Sequence, residues 1–245
     1  MYKKKHNLFF FIAFLLPLFC VPYSGNPAKK AGNGTRFGFG PLIGFYTLQN
    51  KHAINPSPKM SAIFSLKREI CVDRDFKGFF LFGMDYLVHG LNFRSYYFIP
   101  DSIKIYDKSF PYNYSLFIQE INVPLEIKYL FKREDNSLFS PYIALSYSLR
   151  YLIQGNLKVT DNGNKVKYDS PVMKFKTPLF YEKINSSICL TLGWQKNSLS
   201  SSKGTYFVEL NYKYGFSPYY FETAYSAASL FINSSHLNLM LGLKF

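Results

Sequence analysis

Phe117 to Phe131 reads FIQEINVPLEIKYLF. Taken two at a time, it separates into two sets. Phe117, Gln119, Ile121, Val123, Leu125, Ile127, Tyr129 and Phe131 are almost wholly apolar. Ile118, Glu120, Asn122, Pro124, Glu126, Lys128 and Leu130 carry the charges. Successive side chains of a strand point to opposite faces, so the stretch is one β-strand with an apolar and a polar face. Its length of about fifteen residues exceeds the usual strand of about five or six. In an outer-membrane barrel about nine to eleven tilted residues cross the lipid and the rest protrude, and a strand of this length is ordinary there.

Similar alternation recurs along the chain and predicts about eight strands. Thr35 to Leu48 sets Phe37, Phe39, Pro41, Ile43 and Phe45 against Gly38, Gly40 and Gly44, whose missing side chains leave room for neighbours to crowd inward. Lys59 to Val72 sets Met60, Ala62, Phe64, Leu66 and Ile70 against Ser61, Ser65, Lys67 and Glu69, with Arg68 breaking the apolar face. Phe79 to about Phe93 is less regular, because Leu81 and Leu87 fall on the side of Asp85 and His89. Pro141 to Ile153 follows the opening stretch. Ser186 to Gln195, Thr205 to Phe216 and Ser235 to Phe245 complete the set. The connections alternate. Residues 49–58, 94–116, 154–185 and 217–234 are mostly long, whereas 73–78, 132–138 and 196–204 are short, and part of 154–185, such as Leu157 to Thr160, is a candidate to extend the neighbouring strands as a hairpin. Membrane barrels have short periplasmic turns and longer external loops. A soluble barrel would turn its apolar faces inward; here those faces are bulky and aromatic, which points them at lipid. The predicted fold is therefore all-β: a closed antiparallel transmembrane β-barrel of about eight strands in the bacterial outer membrane. Pro124 cannot donate to a ladder, which predicts a bulge there.

Composition agrees. Among 245 residues, 48% are hydrophobic, 18% charged and 20% aromatic, with mean hydropathy −0.07. Alternate burial conceals a membrane barrel in such an average, and abundant aromatics suit its interfacial belts. The net charge of +14 comes from scattered lysines rather than a basic run, which disfavours nucleic acid as a partner. Residues 1–24 read as a cleaved signal peptide, with Lys3, Lys4 and Lys5 before an apolar run from Leu8 to Phe19. Cys20 lacks the small residues a lipobox needs before it. Residues 25–34 form a flexible leader, and 35–245 the barrel domain. Cys71 and Cys189 fall on different strands and are expected as free, buried thiols.

Glu120, Glu126, Lys128, Arg150, Glu209 and Lys213 should point into the lumen. A carboxylate pair in a pocket can do acid–base chemistry, but charges in a narrow barrel pair with one another first. Ser234, Ser235 and His236 are adjacent, yet no acid is placed to orient the histidine. Asp85 and His89 share a strand face two pleats apart. There is no metal-ligand spacing and no phosphate loop, since GFGPLIG lacks a following helix. No catalytic, metal or cofactor-binding residue is predicted, and no enzymatic activity. The alternatives are a lipid-modifying barrel enzyme and a small pore.

Four segments carry a family likeness: RFGFGPLIG at Arg36 to Gly44, the E-I-x-x-P-L-x-I-K-Y pattern at Glu120 to Tyr129, the SPY at Ser140 to Tyr142, and HLNLMLGLKF at His236 to Phe245. In these the chain resembles the PorT-like outer-membrane β-barrel family of Bacteroidota-type bacteria. The resemblance implies a possible part in export of surface proteins, with secretion-machinery proteins as partners. The expected role is structural, adhesive or accessory to secretion. The other expected partners are outer-membrane lipid and lipopolysaccharide, and the barrel-assembly machinery during insertion; the expected state is a monomer.

Overall fold

The computed structural model describes residues 33–48, 53–73, 77–95, 112–131, 139–161, 164–166, 173–175, 183–196, 204–221 and 230–245. The expected signal peptide and nearly all of the expected leader lie outside them. Every regular element among the described residues is a strand. In chain order these are β1 (Gly34–Leu48), β2 (Ala53–Pro58), β3 (Ser61–Cys71), β4 (Gly78–Ser95), β5 (Tyr112–Leu130) and β6 (Phe139–Asp161). There follow β7 (Asn164–Val166), β8 (Met173–Phe175), β9 (Ile184–Lys196), β10 (Thr205–Gly215), β11 (Tyr219–Phe221) and β12 (Leu230–Lys244).

Eight of them close a ring in the order β1, β3, β4, β5, β6, β9, β10, β12, and β12 pairs back onto β1. All the pairings are antiparallel. The seam is sealed at its lower end by two backbone hydrogen bonds of 2.9 Å, Thr35 N–H to Phe245 O and Phe245 N–H to Thr35 O. The four minor strands sit at the opposite end, where the long connections emerge. There β2 pairs the end of β4, β7 the end of β6, and β8 joins β11, which joins β12. Short turns below and long connections above place the upper end outside the cell.

The outward faces are those the alternation predicted. Phe37, Phe39, Leu125, Ile127, Leu145, Trp194 and Leu241 all stand exposed on the barrel wall. The apolar stretch of each strand, Phe80 to Val88 on β4, Ile121 to Tyr129 on β5 and Ile143 to Tyr151 on β6, is about nine residues, enough for tilted strands to cross the hydrocarbon. Aromatics rim its lower edge, among them Phe131, Phe139, Trp194, Tyr206 and Phe245. Phe45, Tyr151, Tyr214 and Phe216 stand towards the upper one.

Several strands run further than predicted, and the reason is physical. β5 starts at Tyr112 rather than Phe117 and β12 at Leu230 rather than Ser235, while β6 runs past Ile153 to Asp161, taking in the hairpin extension at Leu157 to Thr160. Above the lipid band the polarity of the two faces exchanges. On β5 the inward residues change from Glu120, Asn122, Glu126 and Lys128 to Tyr112, Tyr114, Leu116 and Ile118, all buried. The outward ones become Asn113 and Ser115. β4 does the same, with Leu91 and Phe93 buried and Asn92 and Arg94 exposed. These inward residues pack with Leu152, Leu157, Tyr219 and Ile232 into one apolar core, against which Tyr46 and Leu48 lie. Water outside and an apolar interior is the arrangement of a soluble β-protein, so the projecting end is a cap with a core of its own.

Pro124 makes no bulge. The β5–β6 register runs unbroken through Pro124 and its partner Ser148. On the other side the β4–β5 ladder merely lapses between Phe82–Leu125 and Asp85–Asn122, leaving Gly83 opposite the proline. The missing N–H removes a bond without adding a residue. The register shift on β5 lies instead between Gln119 and Glu120, where β6 inserts Ile153. That bulge falls where the faces exchange, and a bulge re-aims side chains. Leu81 and Leu87, which appeared to spoil their face, belong in the lumen: both are fully buried, in small clusters with Phe79, Leu130 and Tyr142, and with Leu42 and Ile63. β3 begins at Ser61, so Met60 lies outside the strand and is fully exposed. Among the described residues Cys71 and Cys189 form no disulfide; Cys189 is buried as expected, but Cys71 at the end of β3 is only half-buried.

Candidate functional site

The lumen concentrates the chemistry. Each of its charges comes from the polar set of a strand whose other set faces lipid, so the fold gathers them in one narrow space. All six predicted residues point inward and are buried. At the lower end Glu69 accepts from Lys128 at 2.6 Å, from Lys244, and lies 3.7 Å from Arg36. Arg36 donates to Glu209 at 2.6 Å, and its guanidinium covers the Phe207 ring at 3.9 Å. Tyr142 donates to the same Glu209 oxygen at 2.6 Å and fills the space over Gly193, where a Cβ would meet its ring at 2.3 Å. At mid-height Lys67 pairs with Glu126 at 2.7 Å, and Lys213 with Asp85 at 3.4 Å; Ser65 donates to Asp85 at 2.7 Å.

Higher up, beneath the apolar cap, Arg150 donates to both oxygens of Glu120, at 2.9 and 3.3 Å. The Tyr219 hydroxyl donates to Glu120 at 2.8 Å and contacts Arg150 Nη2 and, at 3.2 Å, His89 Nε2. His89 Nδ1 meets the Tyr46 hydroxyl at 2.8 Å. The lumen is therefore a stack of ion pairs, each within reach of a countercharge, closed above by packed apolar side chains. Leaving one member unpaired would cost several kcal/mol, which is why opposite charges recur at each level.

The arrangement separates the candidate catalytic groups. Ser235 faces outward while Ser234 and His236 face inward, so Ser235 and His236 lie on opposite sides of the wall. Neither ring nitrogen of His236 has a hydrogen-bond partner among the described residues. Its ring packs edge-on against His89 with centroids 4.5 Å apart. Asp85 and His89 belong to different networks, one with Ser65, Lys67 and Lys213, the other with Tyr46, Glu120 and Tyr219. Among the described residues no three His, Cys, Asp or Glu side chains are grouped to hold a metal ion.

A ring of eight antiparallel strands, an outward apolar band of membrane thickness and a polar lumen occur together in one class of protein. This is an outer-membrane β-barrel. No protein-family model and no curated protein matches the chain. Among solved structures, the outer membrane protein OprG from Pseudomonas aeruginosa is similar in fold, with TM-score 0.54 and 11% identity over 89% of this chain and 97% of that one. Neisserial surface protein A aligns over 87% of this chain and 96% of its own, with TM-score 0.43 and 10% identity. At such identities the likeness is one of fold alone.

Sequence reading missed Arg36, whose inward set on β1 otherwise consists mainly of glycines, and Tyr219, which falls in a stretch without alternation. Phase could have found Arg36: it shares the even-numbered set with Gly38 and Gly40. Tyr219 carries no such signal, since its partners Arg150, Glu120 and His89 are far away in sequence.

Proposed function

We propose that this protein is a non-catalytic, non-conducting barrel that holds a rigid β-cap at the cell surface, in a structural, adhesive or secretion-accessory role. One observation supports this above others: among the described residues the lumen is lined by paired charges and lies beneath a packed apolar core, an arrangement that favours a plug over a channel or a substrate site. The family likeness read from the strand segments adds an accessory part in protein export. On this reading the barrel is a monomer inserted by the barrel-assembly machinery, and its contacts are outer-membrane lipid and lipopolysaccharide at its wall and secretion-machinery proteins at its cap. The test has two arms. Purified protein in planar bilayers should carry no steady ion current, and deletion should leave a defect in surface assembly or export. Steady conductance would restore the pore. Acyl or peptide hydrolysis by the pure protein would restore the enzyme.

A further inference from the structure

Above the lipid band, β4, β5 and β6 present a water-facing sheet whose outward residues can be taken in pairing rows. Gly90, Phe117 and Asn156 form one row, Asn92, Ser115 and Lys158 the next, and Arg94, Asn113 and Thr160 the third. Lys59, between β2 and β3, is anchored by its N–H to Gly90 O at 2.9 Å. Its stem lies over Gly90, where an added Cβ would stand 3.3 Å from Lys59 Cδ. Its ammonium donates to Ser115 Oγ. Lys158 is the cross-strand partner of that same serine. One lysine therefore bonds this hydroxyl and a second stands beside it in the ladder, with Arg94 in the adjoining row.

Among the described residues no carboxylate balances them. No Asp or Glu occurs in these rows, and none of the three cations has a carboxylate partner among the described residues. Partial burial and then the Lys158 charge pull the Lys59 ammonium below its ordinary pKa, as expected of a cation beside another without a counter-ion. The height is also informative. Asn92 lies four residues beyond Val88, about 13 Å of strand and about 10 Å of height once tilted. That is head-group depth.

We propose that this face binds the phosphate groups of the outer-leaflet glycolipid. Lys59, Arg94 and Lys158 supply charge, and Ser115 and Asn92 supply hydrogen bonds. The acyl chains then lie along the band below, against Tyr86 and Tyr151. The inference rests on the orientation adopted above, with the long connections outside.

The test is titration of the full-length barrel in detergent micelles with bis-phosphorylated lipid A, followed by native mass spectrometry. The expected result is binding that weakens about tenfold or more in K59Q/R94Q/K158Q. A K77Q/K196Q control, which removes two charges at the other end, should bind as wild type does. All these positions lie outside the core, so the variants should keep the heat-sensitive gel mobility of a closed barrel. Undiminished binding by the triple variant would overturn the proposal. So would equal binding of dephosphorylated lipid A. Competition by inorganic phosphate as effective, per phosphate, as lipid A would overturn the head-group assignment in favour of a free anion. Orientation has its own readout: N113C, an exposed position of the upper row outside the binding set, should be labelled by an impermeant maleimide on intact cells. Labelling only after permeabilisation would overturn the outer-leaflet source, whatever the micelles show.

Discussion

Glu120 is the most informative single position in the barrel. Its carboxylate is fully buried, receives Arg150 through two nitrogens and accepts the Tyr219 hydroxyl. Glu120→Ala would leave the Arg150 guanidinium in the lumen without its carboxylate, and stranding one member of a buried pair costs about 3–5 kcal/mol. The Tyr219 hydroxyl adds little to that sum, because it retains the His89 contact at 3.2 Å. Replacing both charges, as Glu120→Leu with Arg150→Met, removes the stranded ion and extends the apolar core formed by Leu116, Ile118 and Leu152. Such isosteric replacement of a buried pair is about neutral, or stabilising by about 1–4 kcal/mol. The assay is urea unfolding in lipid vesicles, following the fraction that keeps the faster gel mobility of the unheated barrel. The single variant should lose most of its stability and the double variant recover it. A double variant as unstable as the single one, or a single variant costing under about 1 kcal/mol, would show that the pair does not hold the lumen as described.

Three further outcomes follow from the exchange of faces and from the wall geometry. Leu125→Arg, in the middle of the band, should cost about 2–4 kcal/mol, whereas Asn113→Arg on the same strand should stay within about 0.5 kcal/mol; equal costs in the same urea titration would place the membrane boundary wrongly. Leu116→Ala should cost about 2–5 kcal/mol although it lies beyond the lipid, and a negligible effect would mean that the cap has no core. Ser235→Ala with His236→Ala should leave the deletion phenotype absent in complemented cells; a double variant that behaves like the deletion would revive a hydrolytic role.

The sequence showed the barrel because lipid imposes a severe rule: the outward set must be apolar for about nine residues. Phe37 to Phe45, Ile121 to Tyr129 and Tyr206 to Tyr214 obey it and are read at sight. The cap was hidden by the same rule applied too far. In Tyr112 to Phe117, YNYSLF, alternation continues, but the apolar residues have moved to the inward set because water replaces lipid outside. A reader who identifies the apolar face with lipid sees that as the end of the strand. The six lumen charges were legible one by one from strand phase. Their pairing was not, since Arg36 meets Glu209 across 173 residues of sequence and no local pattern encodes such a distance. The basic face above the band was missed for another reason. Lys59 reaches it only because the chain turns between β2 and β3 over a glycine of the neighbouring strand.

The seam between β1 and β12 makes the barrel a wheel with no privileged starting spoke. The eight major strands follow one another around the wall in the order in which they occur along the chain. Thr35 and Phe245 touch through their backbones at the end where the short turns lie. A short peptide could join these two points, and the chain could be opened instead between Phe131 and Phe139, which lie at the same rim. The permuted polypeptide would draw the same circle from another point, with β6 first and β5 last. It would then be β5 and β6, the pair that carries the cap, that met only after every other strand was in place.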